Sequence, residues 1–278
     1  MKTTPSPRIA IPRIFADIPL HTGAEVDLPE NAVRHIQVLR MQPGQQITLF
    51  NGQPTNSTDP AHSGIIGQWA ATIIAIGRNR IHAHIGGFEP VTREPRTAVT
   101  LLIGIPANER MDFLVEKATE LGVYAIYPLI FERSVIRLNA ERSAKKRNHW
   151  QAITIAACEQ CGGNRIPVIH PVMHLQELLH PSQAFASPPL KTLPADRRLL
   201  SLNNTSPWPG QTTFQTNAAE KAVAILSGPE GGLATAEEQQ LIEQAGFIPY
   251  SLGCRTLRAD TAPLAALSTM VLEPPLET

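Results

Sequence analysis

The sequence predicts an α/β protein in two parts: a small β domain over residues 1–90, then a larger domain over residues 91–278 built on a parallel sheet with helices on both faces. Three observations carry this. From Ile47 to Phe88 the runs "QITLF", "WAATIIAI" and "RIHAHIGGF" alternate as short antiparallel strands do. After the linker "EPVTREPR", Glu89 to Arg96, the rhythm changes to strand, helix, strand, helix, the pattern of a parallel sheet covered on both sides. Two irregular, glycine-bearing turns then follow predicted strands, at the position where open α/β sheets bind ligands.

Element by element, "LPENAVRHIQVLRM" reads as one early helix, with Val33, Ile36, Val38 and Leu39 on one side and Pro29 where a first turn tolerates it. The stretch Asn51 to Gly67 is a polar loop between strands. "TAVTLLIGI" is a continuous apolar run, as a strand covered on both faces requires. "NERMDFLVEKATELG" follows with Met111, Leu114, Val115, Ala118 and Leu121 at helical spacing and Gly122 as terminator. Further strands are predicted at "VYAIYPLI", "RRLLSLN", "KAVAILSG" and "FIPYSLG", and His180 to Asp196, rich in Pro and Ser, is a surface connection.

Composition limits the functional classes. With 278 residues, 42% of them hydrophobic, the chain can bury a large core. No window approaches the roughly 18 uninterrupted apolar residues of a membrane span, and "MKTTPSPRIAIPRIF" has no apolar stretch of the secretory kind, so a cytoplasmic protein is expected. The three cysteines, Cys158, Cys161 and Cys254, agree with a reducing compartment. Lys+Arg and Asp+Glu both total 24, so no global field draws the chain to nucleic acid and any RNA contact must be a local patch. Eighteen of the cations are Arg, which suits bidentate phosphate contacts, although GC-rich coding gives the same bias.

The chemistry concentrates near the C-terminus. In "ILSGPEGGLATAEEQQLIEQAG", Ile225 to Gly246, "AVAIL" supplies the strand and "SGPEGG" the turn; Thr235 with Glu238 forms a capping box for the next helix, which Gly246 stops. Such a turn commonly cradles phosphate, since bare amides and a helix dipole attract anions. Here Glu230 opposes that, and the pattern is neither a P-loop nor GxGxxG. A carboxylate in the turn fits a ligand with hydroxyl or amine donors, or one carrying positive charge. In the second turn, "SLGCRTLRADTAPLAALSTM", the strand "IPYSL" ends at Gly253, a loop carries Arg255 and Arg258, and Asp260 or Thr261 caps a final apolar helix with Pro263 in its first turn.

"LSGPEGGLATAEE" followed by "LGCRTLRADTA" resembles the paired C-terminal motifs of the RsmE-like 16S rRNA (uracil-N3)-methyltransferases, a branch of the SPOUT superfamily. "RIAIPRIF" from Arg8, "HIQVLRMQPGQ" from His35, "RMDFLVEKATELGV" from Arg110, "ERSVIRL" from Glu132 and "ACEQCGGNRIPVI" from Ala157 fall in the family's order, so the resemblance covers almost the whole chain. It implies an N-terminal PUA-like β-barrel for RNA, a C-terminal SPOUT domain with a trefoil knot, and a homodimer acting on 16S rRNA, with the assembled small subunit as the expected substrate. It also implies S-adenosyl-L-methionine as cofactor, surrounded by Leu226, Gly228, Pro229, Glu230, Gly231, Gly232, Leu252, Gly253, Leu257 and Arg258. The sulfonium charge would give Glu230 a reason to be there. The chain departs from the family pattern at Asp260, where Glu is usual, at Gly163, where Arg is frequent, and at Ala107, where Lys is frequent. Arg165 and Arg110 lie close to the last two.

Methyl transfer to uracil N3 requires loss of a proton whose pKa lies well above neutral, so the site should stabilise an anionic ring. Arg258 is the candidate donor to a uracil oxygen, and Asp260, then Glu230, the candidates for a general base. For Asp260 the competing role is a helix cap, for Glu230 turn stabilisation, for Arg258 a structural ion pair. Candidate RNA contacts are Arg13, Arg34, His35 and Arg40 in the β domain, with Arg133, Arg137 and Arg165; Arg142 and Lys145 to Arg147 extend that patch or form a solvated helix face. No metal is expected: a single CxxC at Cys158 and Cys161 leaves tetrahedral zinc incomplete, and His149, His170 and His174 are scattered. The competing functions are a SPOUT enzyme acting on tRNA or a ribose 2′-hydroxyl, a catalytically silent RNA-binding protein, and a nucleotide enzyme with a phosphate cradle, the last opposed by Glu230.

Overall fold

The computed structural model describes residues 11–55, 64–91, 93–107, 109–180, 189–203, 206–209 and 221–272. Parts of the expected "RIAIPRIF" motif, of the Asn51 to Gly67 loop and of the His180 to Asp196 connection lie outside the described residues. The chain forms two compact units, one holding it through Glu94 together with Cys158–Arg165, the other Pro95–Ala157 together with Ile166 onward.

In the first unit, β1 (Arg13–Phe15), β2 (Glu25–Asp27), α1 (Glu30–Val38), β3 (Gln46–Phe50), β4 (Gln68–Ile76) and β5 (Ile81–Glu89) give a sheet of order β1-β3-β4-β5-β2. The pairings are antiparallel except β1 with β3. The alternation works as predicted: Ile81, Ala83 and Ile85 face a core that also takes Ile47, Leu49, Ile73 and Trp69. From α1, Ala32, Val33 and Ile36 enter this core. Val38 and Leu39, expected on the same side, are instead 78% and 44% exposed. Leu39 is already the C-cap and Arg40 adopts φ 53°, so the helix stops before a further turn could bring either residue inward.

The second unit continues with β6 (Thr97–Gly104), α2 (Arg110–Glu120), β7 (Ala125–Ile130), α3 (Ala140–Cys161, its last turn grouped with the first unit), β8 (Val168–Ile169) and β9 (Met173–His174). Then come α4 (Leu175–Leu179), α5 (Pro189–Thr192), β10 (Asp196–Leu200), β11 (Lys221–Ser227), α6 (Thr235–Glu243), β12 (Ile248–Tyr250) and α7 (Thr261–Val271). The sheet is parallel, of order β12-β10-β11-β6-β7-β8, with β9 also on β7.

The unbroken apolar runs follow from two covered faces. Val99, Leu101, Ile103, Val223 and Ile225 pack with Met111, Leu114, Leu267 and Met270 on one face. Their neighbours Leu102, Ala224 and Leu226 pack with Leu241, Phe247 and Leu178 on the other. Fully burying a Val, Leu, Ile, Met or Phe side chain contributes about 1.5–3 kcal/mol, and this is what holds helices to both faces. After β12 at the sheet edge, α7 returns to pack on β6 and β11 in the middle.

Two expected caps are corrected. The α6 helix begins after Ala234, whose methyl cannot accept a hydrogen bond, so Thr235 and Glu238 form no capping box. Glu237 takes that part instead: it is buried and accepts from the Ala234 amide at 3.2 Å and the Glu132 amide at 2.8 Å. Asp260 stands at the N-cap of α7 without capping it through its side chain. The expected strand "IPYSL" is also shorter, ending at Tyr250, with Ser251 in an isolated parallel bridge to Pro207.

Candidate active site

The site is built by strand order. Because β10 lies between β11 and β12, the "SGPEGG" turn after β11 and the Leu252 to Arg258 loop after β12 flank the end of β10. Together they enclose a cleft of about 540 Å³ at the C-terminal edge of the sheet. Its apolar wall comes from Leu200, Leu202, Leu233, Leu252 and Leu257, its charges from Glu230, Glu238, Arg110, Arg133, Arg255 and Arg258. Such a surface suits a ligand with a flat apolar part and charged groups of both signs.

Glycine is required here by geometry. At the end of β6, a Cβ on Gly104 would stand 2.4 Å from the Pro229 nitrogen and 2.7 Å from the Gly228 carbonyl carbon. Only a hydrogen lets the strand and the turn meet. Gly232 and Gly253 hold φ of +70° and +116°, which aim the backbone of both loops around the cleft.

Of the candidate cofactor residues, Gly228, Pro229, Glu230, Gly231, Gly232, Leu252, Gly253, Leu257 and Arg258 line the cleft. Leu226 does not: it is fully buried among the core side chains under α6. Asp260 is absent from the lining too, and its carboxylate meets the Thr261 hydroxyl at 3.4 Å. Arg258 is exposed in the cleft, and its carbonyl accepts from the Thr261 and Ala262 amides, which fixes it at the entry of α7.

Glu230 has a partner that the sequence did not disclose. Arg110, at the start of α2, pairs with its carboxylate, and the Ala107 amide lies 3.4 Å from its other oxygen. The acid therefore ties the β6 to α2 connection to the turn, and its charge is already matched.

The expected RNA residues scatter. Arg13 is committed inside the first unit: it donates to Gln68, to the Gly163 carbonyl at 3.0 Å and to Asn164 at 2.8 Å, and stacks 4.6 Å over Phe50. Burial, then Arg93, holds its pKa below the ordinary guanidinium value. Arg165 is likewise turned inward, with Glu94 3.6 Å from its guanidinium. His35 pairs with Glu159 at 2.9 Å, while Arg34, beside Glu30, and Arg40 are exposed. Arg133 lines the cleft, its guanidinium donating to the Leu233 carbonyl at 3.2 Å. Arg137 lines a separate hollow with Arg142 and His174. Lys145 pairs with Glu141, Lys146 lies over Trp150, and Arg147 donates to the Ile169 carbonyl, so most of that charge run serves α3 itself.

A hydrogen bond with Cys161, then burial, pushes the Cys158 thiol well above its ordinary pKa, which keeps it protonated. Among the described residues no group of three or more His, Cys, Asp or Glu is placed to hold a metal ion, and no helix is long and apolar enough to cross a membrane.

The residues missed from sequence are Ser201, Leu202 and Asn203 after β10, Glu238 on α6, and Arg110 and Arg133 as cleft residues. For Ser201 to Asn203 the available signal was the position of "RRLLSLN" at the end of a parallel strand, which becomes meaningful only once β10 is known to lie between the two motif strands.

Comparison with known proteins agrees with this architecture. A family model for an RNA methyltransferase domain matches residues 92–271, and one for an RNA methyltransferase PUA domain matches residues 28–53. The ribosomal RNA small subunit methyltransferase E of Bacillus subtilis is 29% identical over 243 residues, 86% of each chain. The protein of that name from Neisseria gonorrhoeae, solved bound to S-adenosyl methionine, is 36% identical with a TM-score of 0.76, over 94% of this chain and 96% of that one. A methyltransferase from Legionella pneumophila, solved with its cofactor SAM, is 31% identical with a TM-score of 0.78, over 94% and 97%. With its matching domain models, near full-length relatives and shared fold, the chain belongs to the RNA methyltransferase family of ribosomal RNA small subunit methyltransferase E.

Proposed function

We propose that this protein transfers a methyl group from S-adenosylmethionine to N3 of a specific uridine in 16S rRNA, acting on the assembled small subunit. The observation that carries the reading is the convergence of Gly228 to Gly232 and Leu252 to Arg258 on one cleft. The cleft fits the cofactor: its volume lies within the roughly 300–1,000 Å³ of small-molecule sites, its leucines offer a wall for a flat base, and Gly104 allows a close backbone cradle. When bound, the cofactor supplies an electrophilic methyl on a positively charged sulfur.

Within that cleft, Leu252 and Leu257 exclude water and the backbone of Gly228 to Gly232 and Gly253 orients the ligand. Arg258 donates to a uracil oxygen, where charge collects as the N3 proton leaves. Asp260 lies just outside the lining, between Arg258 and Ala262, and Glu230 is paired with Arg110, so Arg258 is the charged group placed to act directly. In this reading the N3 proton passes to solvent water, and Arg258 eases its loss by stabilising the anionic ring. Residues 1–90 serve as the PUA-like RNA-binding domain and residues 91–278 as the methyltransferase domain. Exposed Arg34 and Arg40, with Arg133 and Arg137, are the phosphate contacts, and the enzyme works in the cytoplasm as a homodimer.

The test is mass-spectrometric mapping of small-subunit rRNA from a strain lacking the gene. Loss of one 3-methyluridine is expected, restored by the wild-type gene and not by Arg258→Ala. Since removing one preorganised donor typically lowers turnover about 10²- to 10³-fold, near-normal methylation by Arg258→Ala would remove that residue from the mechanism. An unchanged modification map in the deletion strain would sink the assignment. Light scattering tests the dimer.

A further inference from the structure

We propose that Glu238, rather than Glu230, is the carboxylate that recognises hydrogen-bond donors of the cofactor, either its ribose hydroxyls or its ammonium group. This rests on the reading of the cleft as a site for S-adenosylmethionine.

Two acids line the cleft, and their surroundings differ. Glu230 is ion-paired with Arg110, so its charge is answered within the protein. Glu238 has no cationic partner among the described residues. It is held by neutral donors only: the Ser201 hydroxyl on one oxygen, and the Asn203 side-chain amide at 3.0 Å on the other. Ser201 is itself fixed, because it is 7% exposed and its Oγ accepts from the Asn203 amide at 3.1 Å. A carboxylate has about four acceptor positions. Each oxygen of Glu238 uses one, leaving capacity for a further donor on both.

Helix geometry gives the same answer. Glu237, one residue earlier, faces inward and serves the α6 cap, so Glu238 is free of that duty and projects toward the end of β10. Beside it Leu202 is 73% exposed within the cleft lining, an apolar surface that a bound base or sugar would cover. An acid oriented by two side chains, facing the cleft and adjoining uncovered apolar surface, is the arrangement that binds a ligand carrying donors next to an apolar body.

Calorimetric titration of the full-length protein with S-adenosylmethionine and with 5′-methylthioadenosine, which keeps the ribose diol and lacks the amino-acid tail, tests this. Losing a hydrogen bond to a charged group should weaken S-adenosylmethionine binding to Glu238→Gln by about 10- to 100-fold. An equal loss for 5′-methylthioadenosine assigns the ribose hydroxyls; an unchanged affinity for it assigns the ammonium group. Asn203→Ala, at an exposed cleft residue, removes one of the two donors that orient Glu238; it should give a smaller loss of the same kind and guards against misfolding of the first variant. If Glu238→Gln binds both ligands as the wild type does, the inference is overturned while the cofactor assignment stands. Failure of the wild type to bind either ligand overturns both.

Discussion

Replacing Gly104 by alanine should displace the turn that forms one wall of the cleft. The new Cβ would lie 2.4 Å from the Pro229 nitrogen, 2.7 Å from the Gly228 carbonyl carbon and 2.9 Å from the Pro229 Cα. All three are backbone atoms, so no side chain can rotate away. On the other side, β6 is fixed between β11 and β7. Restoring an ordinary contact near 3.4 Å therefore needs a shift of about 1 Å in the turn, and forced overpacking of this kind costs about 1–3 kcal/mol. For a domain of this size that is roughly 2–12 °C in Tm. A 1 Å misplacement of site groups also costs on the order of 10²-fold in activity. Urea denaturation and calorimetry with S-adenosylmethionine would measure both effects, with at least a tenfold loss of affinity expected. Wild-type stability together with wild-type binding would show that the turn does not depend on this approach, and the argument for Gly104 would fall.

Other consequences follow from particular side chains. Glu237→Ala leaves the buried Ala234 amide and the partly buried Glu132 amide without their acceptor, and should cost about 1–3 kcal/mol in chemical denaturation. Arg13→Ala should lower thermal stability without changing the salt dependence of RNA binding, because its guanidinium is spent on Gln68, Gly163 and Asn164; a reduced salt slope in filter binding would contradict that. His170 stacks on Tyr127 at 3.6 Å, and burial, helped by Arg147, lowers its pKa to about 4. Its unfolded form takes a proton near pH 6.5 and its folded form only near 4, so its contribution is complete above 6.5 and lost as pH falls toward 4. The loss, discounted for partial solvation of the ring, is about 1–2 kcal/mol. His170→Phe should flatten the stability curve over that interval, as followed by urea midpoints.

How far the chain could be read in advance depends on how local each cause is. The strands β3 to β7, the helix α2 with its stop at Gly122, and the glycine turns were legible because side-chain periodicity and positive φ are properties of short segments. The errors at Val38 and Thr235 were each a matter of where a helix starts or stops, which local signals fix only to a residue or two; Asp260 does stand at the start of α7, but its side chain makes no cap bond. That small shift mattered on α6, since it exchanged the roles of Glu237 and Glu238.

By itself the sequence determined the two-part architecture, the parallel sheet of the larger part and the two loops that carry the motif residues. Only tertiary structure decided that β10 lies between the strands bearing those loops, which brings Ser201, Leu202 and Asn203 into the cleft. It also decided which charges are left over. Arg110 and Glu230 are 120 residues apart in the chain, and Arg13 meets Asn164 across 151. The physical reason is common to these cases: a charge binds a ligand only if the fold has not already given it a partner, and partners are assigned by packing across distant segments.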